Sequence, residues 1–273
     1  MGTRVAHNLL SAGHSLMVYN RTPHKADSLI EQGARRAETP KAAAQWADVI
    51  ISMVTDDAAS QALWLSPETG AIAGLMGRRS APVAIESSTL SVAWTQNLAQ
   101  QLKGQAKFLE APVVGSRPQA AAGQLVYLVG GEAAVLAEVM PLLQTSGTVQ
   151  HVGAVGQGMA LKLAVNALFA LQVAALGEVL GGLKRQGIGH QEAMAQLSPL
   201  AVMSPAATGA GNLMASDRHE PLFPIALVEK DLRYALQAGG KAAIISAVAK
   251  LYQAAIAQGY GDDNITGVAQ LYG

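Results

Sequence analysis

Met1-Gly2-Thr3-Arg4-Val5-Ala6-His7-Asn8-Leu9-Leu10-Ser11-Ala12-Gly13-His14 opens the chain and runs into the apolar stretch from Ser15 to Asn20. A dinucleotide-binding fold begins with a strand, a Gly-x-Gly-x-x-Gly turn and a helix whose N-terminus faces a pyrophosphate. The quoted residues match the end of that fingerprint. Gly2 stands at its last glycine, the helix follows, Gly13 closes the helix, and Ser15 to Asn20 is the next strand. The first strand and the first two glycines have no counterpart. In a doubly wound sheet that strand is central. Its omission predicts two exposed strand edges and an apolar gap under the helices. A start misassigned or truncated by roughly ten residues, the usual strand-plus-turn length, accounts for the pattern. Gly2 could instead be a flexible terminal residue, but the order of helix, glycine and strand after it favours the fingerprint.

Downstream, short apolar runs alternate with helical periodicity. Asp48 to Val54, Val83 to Glu86, Phe108 to Glu110 and Leu125 to Val129 read as strands. Helices are expected at Thr22 to Glu31, from about Asp57, at Val92 to Lys103 and at Glu132 to Leu143. Such alternation means βαβ units and a largely parallel sheet. After Val152 only helical segments are expected, at Gly156 to Lys184, His190 to Leu200, Ile225 to Ala238 and Lys241 to Gln258. The predicted fold class is α/β: a Rossmann-like doubly wound parallel sheet lacking its first strand, then an all-α C-terminal domain. The expected domains are 1–153 for the dinucleotide and 154–273, opening with a long connecting helix.

Composition narrows the function. Half of the 273 residues are hydrophobic and 14% are charged, which suits a core-rich globular protein. Nineteen basic residues balance nineteen acidic ones, leaving no electrostatic footprint for nucleic acid or an acidic membrane surface. The absence of cysteine removes disulfides, thiolate metal sites and a cysteine nucleophile, and fits a reducing, cytoplasmic setting. Six scattered histidines lack ligand-like spacing, so no metal site is expected. Gly153 to Lys162 does not meet the phosphate-loop pattern, and there is no Gly-x-Ser-x-Gly elbow. The charge-free stretch from Ala193 to Ser216 is broken by Pro199 and Pro205. The apolar stretch from Met159 to Leu183 carries Lys162, Asn166, Gln172 and Glu178, as a helix buried in protein would. It is expected between the domains and at a subunit interface, making the chain a homodimer or homotetramer.

The end of the second strand normally selects the cofactor. An acid there holds the ribose of NAD, whereas a nearby Arg accepts the 2′-phosphate of NADP. The strand ends Tyr19-Asn20-Arg21-Thr22. Asn20 removes the carboxylate that would repel phosphate, Arg21 supplies a bidentate donor, and Thr22 supplies a hydroxyl. Lys25 adds charge nearby. The alternative is a solvated turn with Thr22 capping the helix. NADP is favoured, with NAD possible.

Four segments, in order, resemble the β-hydroxyacid dehydrogenase family, relatives of 3-hydroxyisobutyrate dehydrogenase and tartronate semialdehyde reductase. They are Gly2 through Thr22; Glu86-Ser87-Ser88-Thr89; Ala111-Pro112-Val113-Val114-Gly115-Ser116; and Gly156-Gln157-Gly158-Met159-Ala160-Leu161-Lys162-Leu163-Ala164-Val165-Asn166. Lys230-Asp231-Leu232 is similar to the family's C-terminal Lys-Asp-Leu. The resemblance implies that Thr89 lies against the nicotinamide, and that Val114, Gly115 and Ser116 form the substrate loop. It further implies that Lys230 reaches the cofactor, that Asp231 organises the catalytic lysine, and that Phe223 walls the substrate pocket. A surface charge pair is the alternative for Lys230 and Asp231.

The chemistry suits the fourth segment. Lys162 and Asn166 are four residues apart, on one helix face. Carbonyl reduction needs a hydride on carbon and a proton on oxygen, and an ammonium can donate that proton and steady the developing alkoxide. Asn166 can hydrogen-bond the same substrate. A snorkelling lysine and a helix-face amide are the alternative. Departures from the family pattern are Val114 for its Ser, Glu86 for its Asp, and the loss of the first Asn after the lysine. Gly115 and Ser116 still offer backbone donors to a small carboxylate, and Arg117 could add charge. The expected activity is hydride transfer between NADP(H) and a small hydroxyacid or semialdehyde. The alternatives are an imine reductase-like enzyme, and an inactive binding or scaffold relative if the first strand is truly absent.

Overall fold

A computed structural model describes residues 1–239 and 241–273. The chain divides into two units, 1–162 and 163–273. The first unit opens with α1 (Gly2–Ser11), β1 (Met17–Val18), a 3-10 turn (Pro23–Ala26) leading into α2 (Asp27–Glu31), β2 (Arg35–Arg36), α3 (Pro40–Trp46) and β3 (Val49–Ser52). It continues with α4 (Asp57–Leu65), α5 (Ala71–Leu75), β4 (Val83–Glu86), α6 (Val92–Leu102) and β5 (Lys107–Glu110). After these come β6 (Val113–Val114), α7 (Arg117–Ala121), β7 (Leu125–Gly131), α8 (Ala133–Gln144) and β8 (Gly147–Gly153). Helix α9 (Gln157–Arg185) then runs into the second unit.

Strands β3, β4 and β5 are parallel neighbours, as the βαβ reading predicts. Beyond β5 the sheet is mixed. Strand β7 runs antiparallel to β5 and β6, and β8 returns parallel to β7. The physical reason is connection length. A parallel neighbour needs a crossover of about a dozen residues, usually a helix. Helix α8 provides one between β7 and β8, whereas β6 and the single turn of α7 occupy the shorter link before β7. Strand β8 escapes the sequence analysis because it is an edge strand, with Thr148, Gln150 and His151 exposed.

Strands β1 and β2 pair only with each other, as a separate two-stranded sheet. The expected strand from Ser15 to Asn20 is reduced to two residues. Between β1 and β3 lies a cleft of about 720 Å³, lined by Gly2, Leu16, Val18, Val49, Ile51 and Met53 among others. Val49, Ile50 and Ile51 are half-buried, whereas every residue of β4 is buried. The unpaired edges and apolar gap expected from the opening sequence are therefore present.

The second unit contains the remainder of α9, then α10 (His190–Leu197), α11 (Pro205–Ala215), α12 (Ile225–Gln237), α13 (Ala243–Ala257) and a 3-10 segment (Ile265–Tyr272). Its core gathers Val173, Leu180, Ile225, Leu232, Tyr252 and Val268. The Tyr252 hydroxyl donates to the Ala170 carbonyl at 3.2 Å, so the buried phenol has a partner. Helix α11 carries no predicted counterpart, because Pro205 and two glycines obscure its periodicity. By length and composition α9 could cross a membrane, but half of its most apolar window is buried within the protein.

Candidate active site

The carboxyl ends of β3, β4 and β5 lie side by side, where an open α/β sheet binds its ligand. Each strand ends in a buried polar residue, namely Ser52, Glu86 and Glu110. Burying such residues is costly unless their polar atoms are paired. One oxygen of Glu86 accepts from the Ser60 hydroxyl at 2.8 Å and the Trp64 indole N–H at 2.9 Å; the other accepts the Ser88 backbone N–H at 3.0 Å. The Ser88 hydroxyl meets the Val54 N–H at 2.8 Å, and Asp57 accepts both the N–H and the hydroxyl of Ser91. The turn from Glu86 to Ser91, which carries Thr89, is thus pinned from α4 and from the segment that follows β3.

The same turn holds the start of α9. The Leu90 N–H donates to the Met159 sulfur at 3.2 Å. One oxygen of Glu110 accepts the N–H groups of Gly156 at 2.7 Å and Gly158 at 2.8 Å. Burial pushes the Glu110 carboxyl up to about 7, with those backbone donors opposing the shift. One turn further along α9, Lys162 is 7% exposed. A lysine so buried on this turn is not a snorkelling surface residue.

In the second unit, the Asn166 amide donates to Asp231 at 2.6 Å, and the Lys230 ammonium lies 3.0 Å from the other Asp231 oxygen. Lys230 also sits 5.2 Å from the centre of the Tyr234 ring. All three residues are buried, so Lys230 and Asp231 are not the surface charge pair of the alternative. Asn166 spends an N–H on Asp231. Phe223 is half-buried and packs against the helical core; its N–H donates to the Asn264 side chain at 3.0 Å.

Among the residues read as cofactor-binding, Gly2 and Asn20 line the cleft between β1 and β3, together with Lys25. Asn20 accepts the Thr22 N–H at 2.9 Å, shaping the turn that exposes Arg21. Thr22 stands at the N-cap of the 3-10 turn but makes no side-chain cap bond, so the capping role in the alternative reading of this turn is absent. The N-terminus of α1 has no side-chain cap and no acid in its first turn. The helix dipole makes this helix end positive, and the charges of Arg4 and Arg117 lie near enough to join burial in depressing the Met1 amine. An uncapped, positive helix N-terminus beside a polar turn fits a dinucleotide phosphate.

The substrate-loop residues lie between β6 and α7. Val114 is half-buried and Gly115 exposed. Ser116 departs from expectation: its N–H donates to the Gln119 side chain at 3.1 Å, so that donor serves the start of α7 rather than a carboxylate. Two contributors escape sequence reasoning, Glu110 and the Trp64–Ser60 pair. For Glu110 the available signal was an acid ending an apolar strand; for Trp64, only the fold brings it onto Glu86, 22 residues further along the chain.

Comparison with known proteins agrees with this arrangement. Residues 1–165 match the family model described as the NAD binding domain of 6-phosphogluconate dehydrogenase. Residues 156–272 match the one described as NAD-binding of NADP-dependent 3-hydroxyisobutyrate dehydrogenase. An uncharacterized oxidoreductase, YfjR, of Bacillus subtilis is 32% identical over 96% of this chain and 93% of its own. Glyoxylate/succinic semialdehyde reductase 2 of Arabidopsis thaliana is 29% identical over 99% of this chain and 76% of its own. The solved structure of Mycobacterium tuberculosis 3-hydroxyisobutyrate dehydrogenase with L-serine superposes with a TM-score of 0.88, at 26% identity, covering 99% of this chain and 95% of that one.

Proposed function

The chain belongs to the β-hydroxyacid dehydrogenase family of NAD(P)-dependent oxidoreductases acting on CH–OH groups, and from that premise we propose that it reduces a small carboxylate-bearing semialdehyde at the expense of NADPH, with Lys162 as the acid. The bound nicotinamide supplies the hydride. The Lys162 ammonium donates a proton to the carbonyl oxygen as negative charge develops there, and neutral lysine takes that proton back from the alcohol in the reverse direction. Asn166 orients the substrate while Asp231 fixes its amide. Thr89, on the pinned turn, faces the nicotinamide side, and Val114 and Gly115 shape the carboxylate end. Lys230 and Phe223 complete the cofactor and substrate walls.

The observation that carries the proposal is the burial of Lys162 on a helix start tied to the carboxyl ends of β4 and β5. An ammonium held at a fixed, buried position can donate its proton to a carbonyl oxygen and steady the developing alkoxide. Replacing Lys162 with Ala tests it: turnover of succinic semialdehyde or glyoxylate should vanish while NADPH still binds within a few-fold. Full turnover in that variant refutes the role.

NADP rather than NAD is supported by Asn20 and the exposed Arg21. Assembly as a homodimer or homotetramer is supported by Leu161, Leu168 and Val179, large apolar side chains of α9 that are 40%, 62% and 49% exposed and share one helix face. Light scattering giving a monomer mass at micromolar concentration would refute assembly.

A further inference from the structure

The chain joins one carboxylate, 46 residues before Gly156, to the first turn of the helix that carries Lys162 one turn later. We propose that Glu110 is a positioning residue for Lys162, its carboxylate clasping the first turn of α9 and so fixing where the ammonium is presented. This rests on the acid role of Lys162 given above.

A helix leaves its first N–H groups without intrahelical partners. Here one Glu110 oxygen takes the N–H groups of Gly156 and Gly158, and the Met159 N–H also bonds this carboxylate. The packing is cleared for it. A Cβ on Gly130, the register partner of Glu110 on β7, would collide with the same oxygen, and one on Gly158 would come within 3.2 Å of it. The glycines of the Gly156-x-Gly158 pair therefore serve a protein carboxylate as well as close packing. The lysine follows four residues after Gly158, one turn along. A tilt of that first turn moves the Lys162 stem directly, and misplacing a reacting group by about 1 Å can cost on the order of a hundredfold in rate.

The second Glu110 oxygen is buried without a hydrogen-bond partner among the described residues. It is the natural seat for a proton, and the carboxyl titrates near neutrality. Ionisable groups on the elements packed against it are few. Glu86 on β4, its register neighbour, is engaged with Ser60, Trp64 and Ser88. Glu138 on α8 is paired with Lys107 at the exposed start of β5. His151 on β8 holds the Gly131 carbonyl, and Lys162 follows on α9. Protonation thus removes a charge beside the helix start while leaving the accepting oxygen in place.

Three variants of the full chain test the clasp, read by amide hydrogen exchange and by steady-state kinetics with NADPH and succinic semialdehyde. In Glu110→Ala, exchange at Gly156, Gly158 and Met159 should rise by about tenfold or more, as loss of a charge-assisted acceptor implies. The same variant should lose about 10- to 100-fold in kcat with KM for NADPH within about threefold. Glu110→Gln keeps an acceptor oxygen, so it should restore amide protection and most of kcat, and lose any step near pH 7 in the kcat profile. If Glu110→Ala fails to fold, Glu110→Asp carries the test: its shorter reach should loosen the same amides and lower kcat at unchanged KM. Loosened amides with wild-type kcat in Glu110→Ala or Glu110→Asp would overturn positioning and leave a structural cap. Lost turnover in Lys162→Ala with full turnover in Glu110→Ala sinks the clasp alone. Full turnover in Lys162→Ala sinks the acid assignment, and the clasp's purpose with it.

Discussion

The two sides of the first unit's sheet face the same problem with opposite results. Around β4 and β5, each strand has neighbours on both edges, and the residues at their carboxyl ends, Glu86 and Glu110, are fully buried. Every polar group of Glu86 there has a partner. Around β1 and β3, each strand has one neighbour, the apolar residues stay half-buried, and a cleft separates the pairs. Doubly flanked strands hold their terminal side chains in fixed positions; singly flanked ones leave peptide groups and apolar surface for something else to cover. The proposed acid–base chemistry sits on the first side and the proposed ribose-phosphate recognition on the second. Proton transfer tolerates little displacement, whereas a flexible Arg reaching a phosphate tolerates more.

The sharpest way to break this comparison is Lys162→Ala. Losing a general acid and its alkoxide contact should lower kcat by on the order of a thousandfold or more, measured by NADPH oxidation at saturating aldehyde. NADPH binding, followed by fluorescence titration, should change little, because the cofactor phosphate end is assigned to the other side of the sheet.

Packing gives the next largest effect. Ile85 on β4 is 0% exposed, whereas Ile51 on β3 borders the cleft. Ile85→Ala should cost about 2–5 kcal/mol of stability, as for a fully buried aliphatic residue, and Ile51→Ala distinctly less because part of its surface is already wet. Urea titrations of the two variants compare them directly. Equal losses would mean that the cleft is closed in solution and that the two sides are packed alike.

The Glu110 carboxyl adds a pH dependence confined to the tightly packed side. Its folded value is raised from 4.5 to about 7. The folded chain therefore holds this proton more firmly than the unfolded chain does. Its stabilising contribution is complete below pH 4.5 and is lost as the pH rises through about 7. The total is on the order of 3–4 kcal/mol, about 2.5 pKa steps at about 1.36 kcal/mol each. Unfolding free energies at pH 5, 6, 7 and 8 should fall along that interval in the parent protein and lose this component in Glu110→Gln. A parent and variant with parallel profiles would show that the carboxyl does not titrate there.

What the sequence reveals follows the same division. Strand β4 is legible to the residue, because a short β-branched run buried on both faces leaves a continuous apolar signal. The four motif segments single out Lys162, Asn166 and Thr89 as candidates because the pattern that names them is local in the chain. Strands β1 and β2, two residues each, are set by partners rather than by composition, so Arg35–Arg36 gives no strand signal at all. Glu110 is visible in the sequence only as the last residue of a strand. Its role depends on Gly156 and Gly158 returning to it across 46 and 48 residues, which no local pattern encodes. Ser116 shows the converse: a motif position suggests a free backbone donor, and the neighbouring Gln119 takes it.

The smallest expected effect probes the open side. Arg21 is exposed at a turn held by the Asn20–Thr22 contact, and it is assigned to the 2′-phosphate of NADP. A solvent-facing guanidinium–phosphate contact is worth up to about 1 kcal/mol, less than a buried pair because water and salt screen it. Arg21→Ala should therefore raise KM for NADPH by up to about fivefold and leave KM for NADH within about twofold. The NADPH effect should shrink as salt rises, since the attraction is screened over about 8 Å at physiological ionic strength. Lys25 lines the same cleft and carries the second charge, so the Arg21→Ala/Lys25→Ala pair should add to the loss only if both face one phosphate. Equal changes for NADPH and NADH would mean that Arg21 merely shapes the turn. Cofactor choice would then have to be made on the tightly packed side of the sheet.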